Sequence, residues 1–347
     1  MNSRPEVSVI VPSYNKPEYL PECLRSIQAQ TFQDWECIVV SDGSPRVEEI
    51  RAAVRAMGDN RFRLVEHEVN RGLGAARNTG IREARGEWLI WVDEDDAIVP
   101  ECLAKLYELA LRTGDDVVHP QYTNMMTGVT FDRNKVPSLQ ETLESQRLNP
   151  CGFLISRKAF ERAGFFDEDT IIRLGREDAE WWIRAVAAGL RVHTIPEGMY
   201  LYRPGGGSPD ETASLDSRAT LFEAQIRRYI VKKHARLYHR FPEARRRFLG
   251  QGWRREASAH AACGARWRAV FCEWMAAAYL PTRKSFRRAL RSTGVALVGD
   301  QLVIALARML RRAHLLGGNP YAGEASETQT AFSHSGQPGD PARRRNV

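Results

Sequence analysis

Four consecutive carboxylates, Asp93-Glu94-Asp95-Asp96, directly follow the apolar run Trp88-Leu89-Ile90-Trp91-Val92. Like charges do not crowd the end of a buried strand unless something cationic balances them. Hard oxygen ligands of this kind suit Mg²⁺ or Mn²⁺, which take one or two protein carboxylates together with substrate phosphates. The plainer reading is an acidic turn that caps the next helix. A second acidic pair, Glu177-Asp178, opens a helical stretch with Trp181 three and Trp182 four residues after Asp178. A carboxylate at such a helix start can take a proton from a hydroxyl. It can also do no more than complement the positive helix end. Either tryptophan ring could form a platform for a sugar, although large aromatics near a helix start more often pack in a core.

The elements that must hold these groups read as alternating strands and helices. Val7 to Pro12, Trp35 to Val40, Phe62 to Glu66 and Trp88 to Val92 are the expected strands. Glu18 to Gln30, Val47 to Met57, Gly74 to Ala84 and Pro100 to Thr113 are the expected helices. This pattern predicts right-handed crossovers and an α/β fold with a mainly parallel central sheet. Ligands bind beyond the carboxyl ends of such strands, and every polar cluster falls there: Val11-Pro12-Ser13-Tyr14-Asn15, Ser41-Asp42-Gly43-Ser44, Asn70 to Asn78, and Asp93-Glu94-Asp95. Together they describe a nucleotide site. Tyr14 could lie against a base, and Asp42 could accept from a base N–H, which favours uracil or guanine over adenine. The small residues around Gly72 admit a diphosphate near the backbone, and Arg71 and Arg77 can neutralise it. Neither a dinucleotide-binding glycine fingerprint after the first strand nor a phosphate-binding Gly-Lys-Ser/Thr loop occurs, which argues against NAD and ATP chemistry.

Beyond Asp115 the pattern weakens: Val117-Val118 reads as a short strand, and Tyr122 to Asn134 is polar and turn-rich. Gly152 to Ser156 is apolar, and a helix runs from Asp178 to Ala188. Val192 to Pro196 and Met199 to Arg203 read as two closing strands. Pro204 to Pro209 is expected to be a flexible or gated loop. Helices are expected at Phe222 to Lys233, Glu243 to Cys263, Ala265 to Tyr279 and Gly294 to Ala313. The organisation predicted is a catalytic domain over 1–210, a basic, aromatic-rich helical region over 211–317 and a disordered tail over 318–347.

Charge divides the chain along the same line. The first 220 residues hold 26 Lys+Arg against 35 Asp+Glu, whereas residues 221–320 hold 21 against 5. An acidic body with a basic appendage points to an anionic partner. Trp253, Trp267, Phe271, Trp274 and Tyr279 interleaved with arginines suit an anionic membrane surface, through residues 221–317. Nucleic acid is disfavoured because no recognisable nucleic-acid module is present. The N-terminus lacks the apolar length of a signal peptide, and none of the 6 cysteines falls in a C-x-x-C pair. A reduced, cytoplasmic setting is expected, peripheral on the cytoplasmic face of the plasma membrane.

The ordered set of motifs resembles the family 2 glycosyltransferases, inverting enzymes of the GT-A fold (Rossmann-like, for nucleotide-diphospho-sugars). The likeness covers about residues 7–205. It runs from Val-Ser-Val-Ile-Val-Pro-Ser-Tyr-Asn through Asp42-Gly43-Ser44, Gly74 to Gly80 and Asp93 to Asp96. It continues through Gly164-Phe165-Phe166-Asp167-Glu168 to Glu177 to Arg184. The resemblance implies that Asp42 recognises the base, Asp93 the ribose and diphosphate region, and Asp95 the metal, with Asp178 as the general base. Pro12, Tyr14, Asn15, Gly72, Arg77 and Glu94 complete the expected donor side, and Glu177, Trp181 and Arg203 the acceptor or sugar side. Members often place a histidine after a Tyr-Arg pair, but here Tyr202-Arg203 is followed by Pro204 and three glycines. Asp95 is then the expected sole protein ligand, with Arg203 contributing charge, and His193 is expected to be structural.

The function expected is metal-assisted transfer of a sugar from a nucleotide-diphosphate donor, UDP-linked, to a glycan or lipid-linked acceptor in cell-surface polysaccharide or glycolipid synthesis. Two other classes compete: a non-catalytic sugar-nucleotide-binding or scaffold protein, and a nucleotidyltransferase, which normally needs a glycine- and arginine-rich loop after the first strand.

Overall fold

Strand and helix alternate through the first third of the computed structural model, which describes residues 4–131, 137–145, 151–204 and 218–298. The strands β1 (Val7–Ser13), β2 (Trp35–Asp42), β3 (Phe62–His67) and β4 (Trp88–Trp91) are joined by α1 (Leu20–Gln28), α2 (Val47–Ala56) and α3 (Leu73–Glu83). Every residue of β1 and β2 is buried, as befits mostly apolar strands covered on both faces, and the buried Ser8 hydroxyl donates to the buried Glu36. Next come β5 (Ala97–Ile98), α4 (Cys102–Thr113), β6 (Val117–Asn124), β7 (Thr130–Phe131), α5 (Leu139–Glu144), β8 (Leu154–Ser156) and α6 (Arg157–Ala163). A short 3₁₀ turn, Ile172–Leu174, leads to α7 (Glu177–Ala187) and β9 (Val192–Tyr202).

The strand order is β3-β2-β1-β4-β8-β6-β9-β5, with β7 on β6. The β3-β2-β1-β4 half is parallel. Beyond it the sheet is mixed, because β8 runs antiparallel to β4 and β6, and β5 to β9, while β6 and β9 are parallel. The chain moves outward from β1 to β3 and then crosses back to put β4 on β1's other side. That reversal opens a crevice beyond the carboxyl ends of β1 and β4, where Ser13 to Lys16 and Asp93 to Asp96 lie.

Two expected closing strands are one. Pro196 and Gly198 read as a break, yet β9 runs on through both and absorbs them as a register shift opposite Gln121. A side chain at Gly198 would collide with Thr123 Oγ1. The polar stretch from Tyr122 is likewise partly strand, its backbone paired to β7 and β9.

The C-terminal helices are α8 (Arg218–Leu221), α9 (Glu223–Lys233), α10 (Ala235–Arg240), α11 (Pro242–Ala262), α12 (Arg266–Tyr279) and α13 (Arg283–Val298). α8, α10 and the beginning of α13 lie outside the helices expected from the sequence. The remainder of the last expected helix, the loop after Pro204, the domain boundary near Asp210 and the tail lie outside the described residues. Met1–Ser292 forms one compact unit, and the second, Thr293–Val347, is described only as the end of α13. Within the first unit the helices are tied to the sheet body: Tyr229 and Lys233 both donate to Asp167, and His234 lies 2.9 Å from Glu180. Among the described residues no helix is long and apolar enough to cross a membrane.

Candidate active site

Each of the four strand-end acids has its own partners. Asp93, partly exposed, accepts from the Cys151 thiol at 3.1 Å and lies 3.4 Å from Arg77. Burial holds the Cys151 thiol protonated, so it acts as a donor. Glu94 turns inward, accepting from the Ser13 hydroxyl and from the amides of Tyr14 and Lys16 at 3.2 and 3.3 Å. It ties the β1 loop to the end of β4. Asp95 pairs with the Lys16 ammonium at 2.7 Å. Asp96 accepts from Tyr200 Oη at 2.7 Å and from the Arg203 amide at 2.8 Å. Burial raises the carboxyl pKa of Glu94, Asp95 and Asp96, and the neighbouring Asp93 charge raises Asp95 and Asp96 further. The site thus carries more desolvated negative charge than its cations balance.

Arg77 joins this cluster to α7. Its guanidinium is almost wholly buried, 3.0 Å from Glu177 and 3.4 Å from Asp93, and lies over the rings of both Trp91 and Phe166. Burial would lower its pKa, but the surrounding carboxylates, Asp93, Glu177 and Asp178 among them, drive it up instead. Arg77 therefore stays charged. Gly74 allows this approach: a β-carbon there would stand 3.1 Å from the Asp167 carbonyl and 3.4 Å from Glu177 Cβ. Asp178, next along, is partly exposed and accepts from the Ala179 amide.

The start of α7 is held from the C-terminal region. Arg176, immediately before Glu177, has φ 74°, the one left-handed non-glycine among the described residues. That conformation costs about 1 kcal/mol or more. It is fixed by Glu223 on α9, which receives Arg176 at 2.6 Å and Arg227 at 2.8 Å.

On the opposite side of the crevice Asp42 is buried and accepts from the amides of Arg71 and Gly72 at 2.9 and 2.8 Å and lies 2.6 Å from His67 Nδ1. Gly72, at φ 93°, and Gly43, at φ 64° with the Val69 backbone pressed against it, let the loops close on this carboxylate. Tyr14 and Asn15 project to solvent while Pro12 is buried in β1. Arg203, expected on the sugar side, donates from Nε to the Asp95 carbonyl at 2.9 Å, and its guanidinium is paired with Glu22 and lies over the Tyr19 ring.

Several expected contacts meet obstacles. Trp181 is 0% exposed, donates to the Gly164 carbonyl at 2.8 Å and packs among Phe160, Phe166 and Trp182, so its ring has no face for a sugar. The aromatic content of the Gly164 to Phe166 turn explains this: it needs a large ring to cover it. The arginines expected to meet a diphosphate are already paired, Arg77 as above and Arg71 with Glu168 at 2.9 Å. Glu94 is engaged by the β1 loop. His193 pairs with Asp115 at 3.3 Å, away from the acids.

The sequence reading assigned no role to Lys16, Cys151, His67, Tyr200 or the Arg176–Glu223 pair. Lys16 was the most accessible of these, as the lone cation of the loop after β1. The others meet the site only through tertiary packing.

A sequence model described as glycosyl transferase family 2 matches residues 8–168. Among curated relatives, the uncharacterized glycosyltransferase EpsJ of Bacillus subtilis (strain 168) is 36% identical over 222 residues, 60% of this chain and 63% of EpsJ. The chain thus spans somewhat under two thirds of that relative's length. The succinoglycan biosynthesis protein ExoO of Rhizobium meliloti (strain 1021) is 31% identical over 264 residues, 70% of this chain and 75% of ExoO. Among solved structures, TarS 1–349 of S. aureus in complex with UDP-GlcNAc superposes with a TM-score of 0.53 at 19% identity, covering 82% of this chain and 92% of that one. The curled mixed sheet is the GT-A fold, and the chain belongs to glycosyl transferase family 2, a family of glycosyltransferase enzymes.

Proposed function

We propose that this glycosyltransferase moves a sugar from a nucleoside-diphosphate donor, UDP-linked, to a glycan or lipid-linked acceptor, building a cell-envelope polysaccharide or glycolipid at the cytoplasmic face of the membrane. The observation that carries the reading is the buried Arg77 guanidinium, which has Asp93 of the strand end on one side and Glu177 of α7 on the other. The two acidic motifs therefore converge on one crevice. ExoO, by its name, works in succinoglycan synthesis, and the TarS structure holds UDP-GlcNAc, which supports the pathway class and the donor class.

In this reading Tyr14 and Asn15 lie along the base and ribose. Asp42 orders the Arg71-Gly72 turn and offers its remaining lone pair to the base. Asp178 takes the proton of the acceptor hydroxyl as that oxygen attacks the anomeric carbon, and the bond to the diphosphate breaks from the other face. One displacement inverts the anomeric centre. Glu177, fixed by Arg77, is available to a sugar hydroxyl.

A divalent cation fits the residues present. Asp93 and Asp95 are hard oxygen donors in a like-charged setting, Asp95 buried and Asp93 partly open to solvent, a donor set that suits Mg²⁺ or Mn²⁺. Bound there, the cation would supply Lewis-acid neutralisation of the departing diphosphate. Lys16 holds the charge of Asp95 until then, and its long side chain can afterwards turn toward donor phosphate. Arg203 supports the acids from beneath.

The test is a panel of nucleotide sugars assayed for hydrolysis and transfer with and without Mn²⁺. Turnover of a UDP-sugar that needs Mn²⁺, and that Asp178→Asn abolishes while UDP still binds, is the expected result. Full transfer by Asp178→Asn would remove the assigned base.

A further inference from the structure

The membrane-side placement proposed above rests so far on composition, and the structure narrows it to one face. We infer that the face shared by α12 and α13 docks on an anionic lipid surface. Trp267, Phe271 and Trp274 recur at i, i+4 and i+7 on α12 and are 60%, 57% and 40% exposed. Such spacing puts all three rings on one stripe. Phe286 and Leu290, at i and i+4 on α13, are 44% and 60% exposed. The rings of Trp274 and Phe286 meet edge-on at 6.4 Å, which joins the two stripes into a continuous apolar patch. The α12 residues Ala269, Cys272 and Ala276 are buried instead, Cys272 and Ala276 in a cluster with Ala224, Trp253 and Ala257. Phe271 meets Trp253 edge-on at 5.7 Å and Trp274 meets Phe286, yet each of the three rings keeps 40% or more of its surface in solvent.

Charge selects the occupant. From Gly264 to Ser292 there are 7 Lys and Arg against the single acid Glu273, and Arg266, Arg268, Arg283, Lys284 and Arg287 are all exposed. A second copy of the same face would bring like charges together. Duplex nucleic acid would satisfy the arginines but leave Leu290 and the ring edges in water. A bilayer rich in anionic headgroups satisfies both, with rings at the acyl boundary and arginines among phosphates. The structure also corrects the aromatic set read from sequence. Trp253 is 7% exposed beneath the Arg228 guanidinium and belongs to the core.

The experiment is flotation of the full chain with vesicles of phosphatidylcholine and phosphatidylglycerol, and with phosphatidylcholine alone. The wild type should float with the mixed vesicles, lose much of that binding in high salt and ignore the neutral ones. Replacing the stripe (Trp267→Ser, Phe271→Ser, Trp274→Ser) should weaken partition by at least about tenfold, and Arg283→Ser with Arg287→Ser by a smaller factor. Trp253→Phe should leave it unchanged. A stripe variant that keeps its helical circular dichroism and floats like wild type overturns the inference. So does equal recovery on neutral vesicles, or a dimer that the stripe variant dissolves while wild type binds no vesicle. Flotation needs no donor and no turnover, so its failure leaves the transfer chemistry standing, and failed transfer leaves this surface standing.

Discussion

At the end of β4, burial holds the carboxyls of Glu94, Asp95 and Asp96 above their ordinary range, whereas those of Glu180 on α7 and Glu223 on α9 are drawn down to about 2. Burial pushes both groups upward, and the difference lies in the partners. Glu180 receives His234, Arg184 and Lys233, and Glu223 receives Arg176 and Arg227. The strand-end acids have Lys16, neutral donors and one another. Saturated acids fasten α9 to α7 and to the residue before it, and under-neutralised acids keep a place for a cation that comes with substrate.

The largest effect that would break this contrast is on rate. Asp178→Asn should lower kcat by roughly 10²- to 10⁴-fold in a transfer assay while leaving the melting temperature near wild type. Next comes stability. Glu223→Ala leaves Arg176 and Arg227 without their carboxylate and should destabilise by about 3–5 kcal/mol in urea unfolding. Asp96→Asn, which removes a desolvated charge, should be neutral or stabilising. If the two variants lose equal stability, the distinction between the two sets of acids fails.

The acid limb separates them by sign. Glu180, whose folded pKa lies below its ordinary 4.5, contributes stability that is present above that value and lost as pH falls toward about 2. Raised groups behave oppositely: Asp96 costs stability once pH exceeds its ordinary 3.8, and protonation on acidification recovers it. Melting temperature followed from pH 7 downward should therefore fall less steeply below pH 4.5 in Glu180→Gln than in wild type. Asp96→Asn should lie above wild type at pH 7, and the two curves should converge on acidification. The smallest effect expected is at Trp181→Phe, which should cost about 1–2 kcal/mol of core packing and leave the acceptor KM unchanged. A raised KM with unchanged stability would return that ring to the sugar.

Much of this was legible in the chain because it is local. Mostly apolar runs mark β1, β2 and β4, and the clusters after them sit at carboxyl ends as elementary α/β geometry requires. What stayed hidden was long-range. Nothing near Glu94 signals that its partners are Ser13 and two amides some eighty residues back, and Arg77 gives no local sign that Asp93 and Glu177 enclose it. The burial of Trp181 is hidden for the same reason: the rings that cover it, Phe160 and Phe166, come from other segments. In β9, Pro196 and Gly198 look like a break until a partner strand carries them through.

The most direct test is calorimetric titration of UDP with and without Mn²⁺, on wild type, Asp178→Asn and Asp95→Asn. The account predicts that Mn²⁺ tightens UDP binding by at least about tenfold in the first two proteins and has little effect in the third. Equal UDP affinity with and without Mn²⁺ in the wild type would contradict it.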